Sequence, residues 1–226
     1  MATLKFHGHA CFSIFNDDVH LIIDPWLSGN PDIGKIPDDL RPPTHILVTH
    51  NHNDHVGDAV ALSKQFDAPI ISTPSAARHY RGEGATMDRL HIGGRMPIPG
   101  GSIKGTPAFH DSPLAIGENW RVELGAPCGF VVTLDGVSVY HAGDTALFGD
   151  MALYGPVDVA LLPIDGRMVM EPVDAVRAAE FLDAALTIPM HWRSQDPAAF
   201  VKLVEASGRR GRVLERNEEL PLTARA

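Results

Sequence analysis

The chain is poor in cysteine, in tyrosine, in positive charge and in long apolar runs. Its two cysteines, Cys11 and Cys128, lack the local spacing of a zinc or redox pair, so they read as buried thiols in a reducing compartment. No run approaches the roughly 20 apolar residues of a membrane helix. The stretch from Met1 to Phe6 lacks the long apolar segment of a signal peptide, so the expected location is the cytoplasm, with no membrane partner. With 19 Lys and Arg against 28 Asp and Glu, the formal net charge is −9, which disfavours nucleic acid as a partner. Arg209, Arg210 and Arg212 cluster, but read as a solvated turn. No Gly-x-Ser-x-Gly elbow occurs, so a serine nucleophile on such a turn is excluded. No linker or low-complexity segment divides the 226 residues, and residues 1–226 read as a single domain.

Histidine is the residue in excess, with 12 against three tyrosines. It is the commonest metal ligand, so its placement on the secondary structure matters. Short β-rich runs occur at Thr3 to Phe6, Cys11 to Phe15 and His20 to Ile23, with a hairpin turn at Asn16 to Asp18. Asp24-Pro25 closes the third run, and a Pro- and Gly-containing surface loop extends from Leu27 to Pro43. His45 to Thr49 reads as a strand buried on both faces. Gly57 to Phe66 reads as a helix, Pro69 to Thr73 as a strand and Pro74 to Tyr80 as a short helix opened by proline. Short strands return from Leu90 to Thr133, and Phe130 to Leu134, Asp135-Gly136 and Val137 to His141 spell a hairpin. Val157 to Pro163 and Leu186 to Met190 read as core strands. Helices are expected at Glu171 to Ala185 and Asp196 to Ser207, and an edge strand at Arg212 to Leu214. Each half of the chain thus runs from strands through an Asp-containing turn to a buried strand and a helix, which reads as two similar halves packed together.

The run Thr49-His50-Asn51-His52-Asn53-Asp54-His55 follows a buried strand and precedes a helix. Rigid elements therefore hold three imidazoles and a carboxylate from both ends. Side chains at i and i+2 of a loop converge on one ion, as His50 and His52 would, while Asp54 and His55 turn toward a second. This donor set suits zinc, manganese, iron or cobalt.

The run resembles the His-x-His-x-Asp-His pattern of the metallo-β-lactamase-fold hydrolases. Further matches are Gly8-His9-Ala10, Ile23-Asp24-Pro25, Pro107-Ala108-Phe109-His110, Tyr140-His141-Ala142-Gly143-Asp144-Thr145, Leu162-Pro163-Ile164-Asp165-Gly166 and Ile188-Pro189-Met190-His191. Nearly the whole chain is covered. The resemblance is to small, mostly uncharacterised hydrolases, themselves similar to ascorbate-phosphate lactonase and to the phospholipase D that cleaves N-acyl phosphatidylethanolamine. It implies an α/β fold: a four-layer αββα sandwich of two mixed sheets with helices on the outer faces. It implies two divalent ions, zinc first and manganese or iron as alternatives. His50, His52 and His110 would hold one ion, Asp54, His55 and His191 the other, and Asp144 would bridge them. His9, Asp24 and Asp165 would orient ligands or wall the site.

The function implied is hydrolysis of an ester, lactone or phosphodiester in a small substrate by a water held between the metals. Asp54 would also orient that water, His141 is a candidate proton donor, and Arg193 a candidate contact for an anionic substrate group. Related small hydrolases carry a tyrosine and an asparagine where this chain has Trp192-Arg193, so substrate does not carry over. The expected determinants of substrate choice are the loop Leu27 to Pro43, the segment Asp111 to Gly125 and the stretch Arg167 to Pro172. Two other readings stay open: an iron-dependent oxidoreductase on the same scaffold, and a non-catalytic metal-binding interaction module. Self-association into a homo-oligomer is also left open.

Overall fold

A computed structural model describes residues 1–116 and 120–225. The chain opens with strands β1 (Thr3–Gly8), β2 (Cys11–Phe15), β3 (His20–Ile23) and β4 (His45–Leu47). Helices α1 (Asn53–Val56) and α2 (Ala59–Phe66), strand β5 (Ile70–Ser72), helix α3 (Pro74–Gly82) and strand β6 (Met87–Arg89) complete the first half. The second half contains β7 (Arg95–Ile98), β8 (Gly101–Pro107), β9 (Pro113–Ile116), β10 (Trp120–Glu123), β11 (Cys128–Leu134) and β12 (Val137–His141). A 3-10 turn at Gly149–Tyr154 leads to β13 (Val159–Pro163), α4 (Pro172–Phe181), β14 (Leu186–Met190), α5 (Pro197–Ala206) and β15 (Glu219–Pro221).

These elements form the expected αββα sandwich. One sheet has the order β15-β1-β2-β3-β4-β5-β6 and the other β14-β13-β12-β11-β8-β7, with β9 and β10 as a separate ribbon. Both large sheets are mixed: antiparallel through β15-β1-β2-β3, parallel through β3-β4-β5-β6 and through β12-β13-β14. The inner faces meet in one core that includes Leu4, Phe12, Ile23, Phe130, Val132 and Leu161. Ala175, Ala179 and Phe200 of α4 and α5 join that core, while Leu62, Ala76 and Tyr80 of α2 and α3 pack with Ile22, Ile46 and Ile70 in a second one. The continuous apolar runs of β3, β5 and β13 follow from this two-sided burial.

Several boundaries differ from the sequence expectation. The ladder of β4 ends at Leu47, although Val48 N–H still donates to the Ile71 carbonyl (3.0 Å). The histidine run is not all loop, since Asn53–Val56 closes one helical turn. The edge strand expected at Arg212 to Leu214 lies later, at β15; near Arg212 only Gly211 bridges to Thr187. β15 pairs with β1, so the C-terminal segment crosses to the first sheet and the two halves are interlocked. Both cysteines are free and buried, as expected. Among the described residues no helix is long and apolar enough to cross a membrane.

Three neighbouring strands are tied by a buried polar chain. His20 Nδ1 lies 3.2 Å from the Pro42 carbonyl, so Nδ1 carries the proton, and Ser13 Oγ donates to His20 Nε2 (2.7 Å). His7 Nε2 in turn donates to Ser13 Oγ (2.7 Å). The chain pins the Leu27 to Pro43 loop to the sheet. Burial is the main reason both imidazoles titrate low, His7 at about 3 and His20 at about 4.

Two predictions follow from these contacts. An unfolded histidine takes up its proton near pH 6.5, whereas these two stay neutral in the fold until about pH 4 and about 3. The unfolded state binds more protons in that window, so stability falls on acidification from pH 6.5. The slope for metal-free protein steepens below pH 6.5 towards about 1.4 kcal/mol per pH unit for each histidine. Urea denaturation between pH 7 and 5 should show it, and His20→Gln should be shallower; an unchanged slope would assign the effect elsewhere. The second concerns Gly57, which has φ +42°, and whose Cβ, if present, would lie 2.4 Å from Trp26 Cα and 2.5 Å from the Pro25 carbonyl. Gly57→Ala should therefore cost about 3 kcal/mol or more, read as a lowered Tm.

Candidate metal centre

Each candidate ligand stands just beyond the C-terminal end of a strand. His9 follows β1, His50 to His55 follow β4, His110 follows β8, Asp144 follows β12 and His191 follows β14. Both sheets thus point their carboxyl ends into one cleft, and the rigid ladders behind fix the side-chain origins.

Asp24, at the end of β3, sets the ring orientations. Its Oδ1 accepts from Thr49 N–H (2.8 Å), and its Oδ2 accepts from Thr49 Oγ1 (2.7 Å) and from His55 Nδ1 (2.7 Å). Because His55 Nδ1 gives its proton to Asp24, Nε2 is the nitrogen presented for ligation, once it gives up its own proton. Because the Thr49 hydroxyl donates to Asp24, its oxygen accepts from His50 Nδ1 (2.9 Å), which leaves His50 Nε2 bare. One carboxylate therefore prepares two imidazoles to ligate through Nε2, one directly and one through a hydroxyl.

The prepared atoms gather in two groups of potential ligands: His50, His52, His110 and Asp144; and His9, Asp54, His55 and His191. In the first, His52 Nδ1 lies 3.0 Å from His50 Nε2 and 3.3 Å from His110 Nε2. In the second, His9 Nε2 is 3.4 Å and His191 Nε2 4.0 Å from Asp54 Oδ2. Asp144 lies between the groups. Its Oδ2 is 3.2 Å from His191 Nε2, 3.6 Å from His110 Nε2 and 4.0 Å from His50 Nε2, and its Oδ1 is 3.3 Å from His55 Nε2. Two donors bonded to one tetrahedral ion at zinc distances stand about 3.3 Å apart, so these spacings suit shared ions.

The residues also fit a metal by what they lack. Buried and without a hydrogen-bond partner among the described residues are His9 Nε2, His55 Nε2, Asp144 Oδ1 and His191 Nδ1. An unpaired buried polar atom costs about 1–3 kcal/mol, and three of these four face the two groups. Charge is concentrated too. Burial opposes ionisation of Asp144, but His55 and His191 overcome it and hold its pKa well below the usual carboxylate range. Burial likewise opposes charge on His55, yet Asp144 and Asp24 hold its pKa well above the ordinary imidazole value. Burial, reinforced by His55, keeps His50 neutral. A neutral His50 and ionised carboxylates are the forms that ligate.

All seven expected ligands come together. His9, expected only as an orienting or wall residue, stands in the second group as a fourth donor; its position in a turn at the same sheet end was the available signal. Asp24 has the orienting position expected of it. Asp165 does not touch a ligand; its Oδ2 lies 3.8 Å from Arg193 Nε, and Arg193 Nη2 donates to Asp54 Oδ2 (2.9 Å).

His141 is a correction. Its Nδ1 accepts from Gly143 N–H (3.1 Å) and its Nε2 donates to the Ala10 carbonyl (2.9 Å), inside a fully buried ring. Neither nitrogen is free to protonate a leaving group; the ring instead ties the end of β12 to the turn that carries His9. That turn is strained. His9, Asp24, His191 and Arg193 all have φ between +44° and +56°; aspartate and histidine enter this region more readily than most residues, so Arg193 is the costliest of the four. Strain of this kind persists where surrounding contacts over-determine it, as at functional sites.

The fold and cleft are those of the beta-lactamase superfamily domain, whose family model matches residues 3–191, and the chain belongs to that superfamily. Within it, the chain belongs to the UPF0173 metal-dependent hydrolases. It is 42% identical over 211 residues to a member from Desulforamulus reducens, spanning 89% of this chain and 91% of the other. A Thermococcus kodakarensis member is 40% identical over 214 residues, spanning 90% and 92%. Among solved structures, Igni18, a metallo hydrolase from the hyperthermophilic archaeon Ignicoccus hospitalis, superposes with a TM-score of 0.87 at 32% identity, covering 97% of each chain.

Asp24→Asn should show how the rings are prepared. The amide nitrogen cannot accept from both Thr49 and His55, so the His55 tautomer is released. Competition titration with a chromophoric chelator should give about 10- to 100-fold weaker binding of the most weakened ion. Wild-type affinity in that variant would remove Asp24 from the account.

Proposed function

We propose that this chain is a dinuclear metal-dependent hydrolase that cleaves an ester, lactone or phosphodiester bond in a small-molecule substrate. The observation that carries the reading is Asp144, whose two oxygens lie within 4.0 Å of imidazole nitrogens of His50, His55, His110 and His191. His50, His52 and His110 would hold one ion, Asp54, His55 and His191 the other, with Asp144 shared and His9 beside the second. The mixed nitrogen and oxygen donors suit zinc, with manganese and iron as alternatives. Bound there, the ions supply Lewis acidity and a water activated as nucleophile near neutral pH.

The protein's own groups position what reacts. Arg193 Nη2 donates to Asp54 Oδ2, which holds the carboxylate in one orientation at the cleft and leaves Oδ1 to accept a hydrogen bond from water. Arg193 is half-exposed and presents its remaining N–H groups at the site edge, where they can meet a carboxylate or phosphate oxygen. With His141 committed to backbone groups, His9 and Arg193 are the side chains placed to meet a leaving group. Protein purified without chelator should carry about two ions per chain. Asp144→Ala should lower kcat/KM at least about a hundredfold on whichever lactone, phosphodiester, thioester or β-lactam probe the wild type turns over. A wild type that takes up no metal at micromolar supply would sink the reading.

A further inference from the structure

A cavity of about 650 Å³ adjoins the second group of ligands. Its shared wall is His9 and Arg193, whose Nε2 and Nη2 atoms lie 3.4 and 2.9 Å from Asp54 Oδ2. The body of the cavity is lined by Phe6, Trp26, Trp192 and Leu214. Trp192 packs against Phe6 with ring centroids 5.4 Å apart, and Trp26 meets the edge of His9 at 5.1 Å. The residues on either side of Trp192, His191 and Arg193, both stand at positive φ, at 47° and 44°. This backbone turns the indole into the cavity while His191 meets the ligand group. Asp32, Glu215 and Arg216, all exposed, also line it.

A guanidinium thus stands beside the ligand group, indole and phenyl faces line the body, and two carboxylates with a second guanidinium complete the lining. A pocket of this size and lining holds a small organic group by its apolar surface. Resting on the hydrolase reading above, we propose that the cavity is the acyl pocket, and that the substrate is a carboxylic ester or lactone whose acyl part carries an apolar arm. The arm is an uncharged aryl or medium-chain alkyl group. The product carboxylate leaves from the Arg193 end. Of the segments expected to set substrate choice, only Leu27 to Pro43 contributes, through Asn30, Pro31 and Asp32; the outer wall comes instead from residues 213–216. Residues 117–119 of the expected segment Asp111 to Gly125 lie outside the described residues.

The product side of the reaction gives a test that does not depend on turnover. Acetate, octanoate and octanedioate are titrated calorimetrically into the metal-replete full chain, with acetate measuring what the carboxylate alone contributes. Octanoate should bind about a hundredfold more tightly than acetate, because most of its added methylenes leave water. Octanedioate, of equal length but charged at the far end, should bind at least about tenfold more weakly than octanoate, since its second carboxylate must give up water among the indole and phenyl faces. Octanoate should also change the fluorescence of Trp26 and Trp192 saturably. Val213→Trp fills the cavity from its outer wall and should abolish the preference for octanoate over acetate while metal content stays at the wild-type value, which establishes that the variant is folded. Equal affinity for octanoate and acetate, tighter binding of octanedioate than of octanoate, or an undiminished preference in folded Val213→Trp would each overturn the proposal. Failure of the hydrolase reading shows separately, in metal content and turnover, because carboxylate binding requires neither hydrolysis nor an ester.

Discussion

The Asp24 carboxylate is completely buried, and it is tolerable only because three donors from the metal loop converge on it. A lone carboxylate in such a place would be neutralised or would unfold its surroundings. Burial does push its pKa up, but His55, foremost among the neighbouring imidazoles, more than reverses the effect. The same contacts that solvate Asp24 fix the tautomers of His55 and His50. The cost of burying the charge is thus coupled to the geometry of the site: the loop cannot move without stranding the carboxylate, and the rings cannot flip without losing an acceptor.

Around that anchor the architecture supplies position. Two mixed sheets face each other with the carboxyl ends of β1, β3, β4, β8, β12 and β14 at one rim. Gly57 lets the helical turn of the metal loop lie directly on the Pro25–Trp26 backbone. Asp58 then holds the same loop from the other side, accepting from the Leu27 and Ser28 backbone N–H groups at 3.0 and 2.8 Å. His141, tied to Ala10, fastens the second sheet to the turn that carries His9. Close packing makes these attachments stiff, and stiffness is what a ligand set needs if its atoms are to stay within a few tenths of an ångström of a coordination geometry.

The concentration of charge in the cleft follows from the same arrangement. His55 lies between the carboxylates of Asp24 and Asp144, and His191 and His110 also face Asp144. Ligand-oxygen charge and bare imidazole lone pairs converge in a place from which bulk water is largely excluded, where electrostatic interactions are strong. Arg193, farther out and half-exposed, bridges Asp54 and Asp165 at the mouth and couples the ligand groups to the adjoining cavity.

The run from His50 to His55 was legible as a metal site because its residue types and spacing have few other uses, and the strand before it was apolar enough to be recognised. Strand–turn–helix order, the Asp135-Gly136 hairpin and the buried thiols were legible for the same local reasons. His110, Asp144 and His191 were reachable only through family resemblance, since nothing near them in the chain marks an isolated histidine or aspartate as a ligand. The commitment of His141 to backbone partners and the tryptophan-lined cavity closed by residues 213–216 were not legible at all, and the entry of His9 into the second group was signalled only by its turn at the sheet end. Each depends on which strand ends the sandwich brings together and on side-chain direction, which the left-handed turns at His9, Asp24, His191 and Arg193 set. The amino-acid sequence by itself determined that the run His50 to His55 carries a metal-ligating donor set, because donor chemistry is a property of residues. Only the tertiary structure decided that His9 joins those donors, which nitrogens face the ligand groups and what adjoins them, because these are properties of distances between segments remote in the chain.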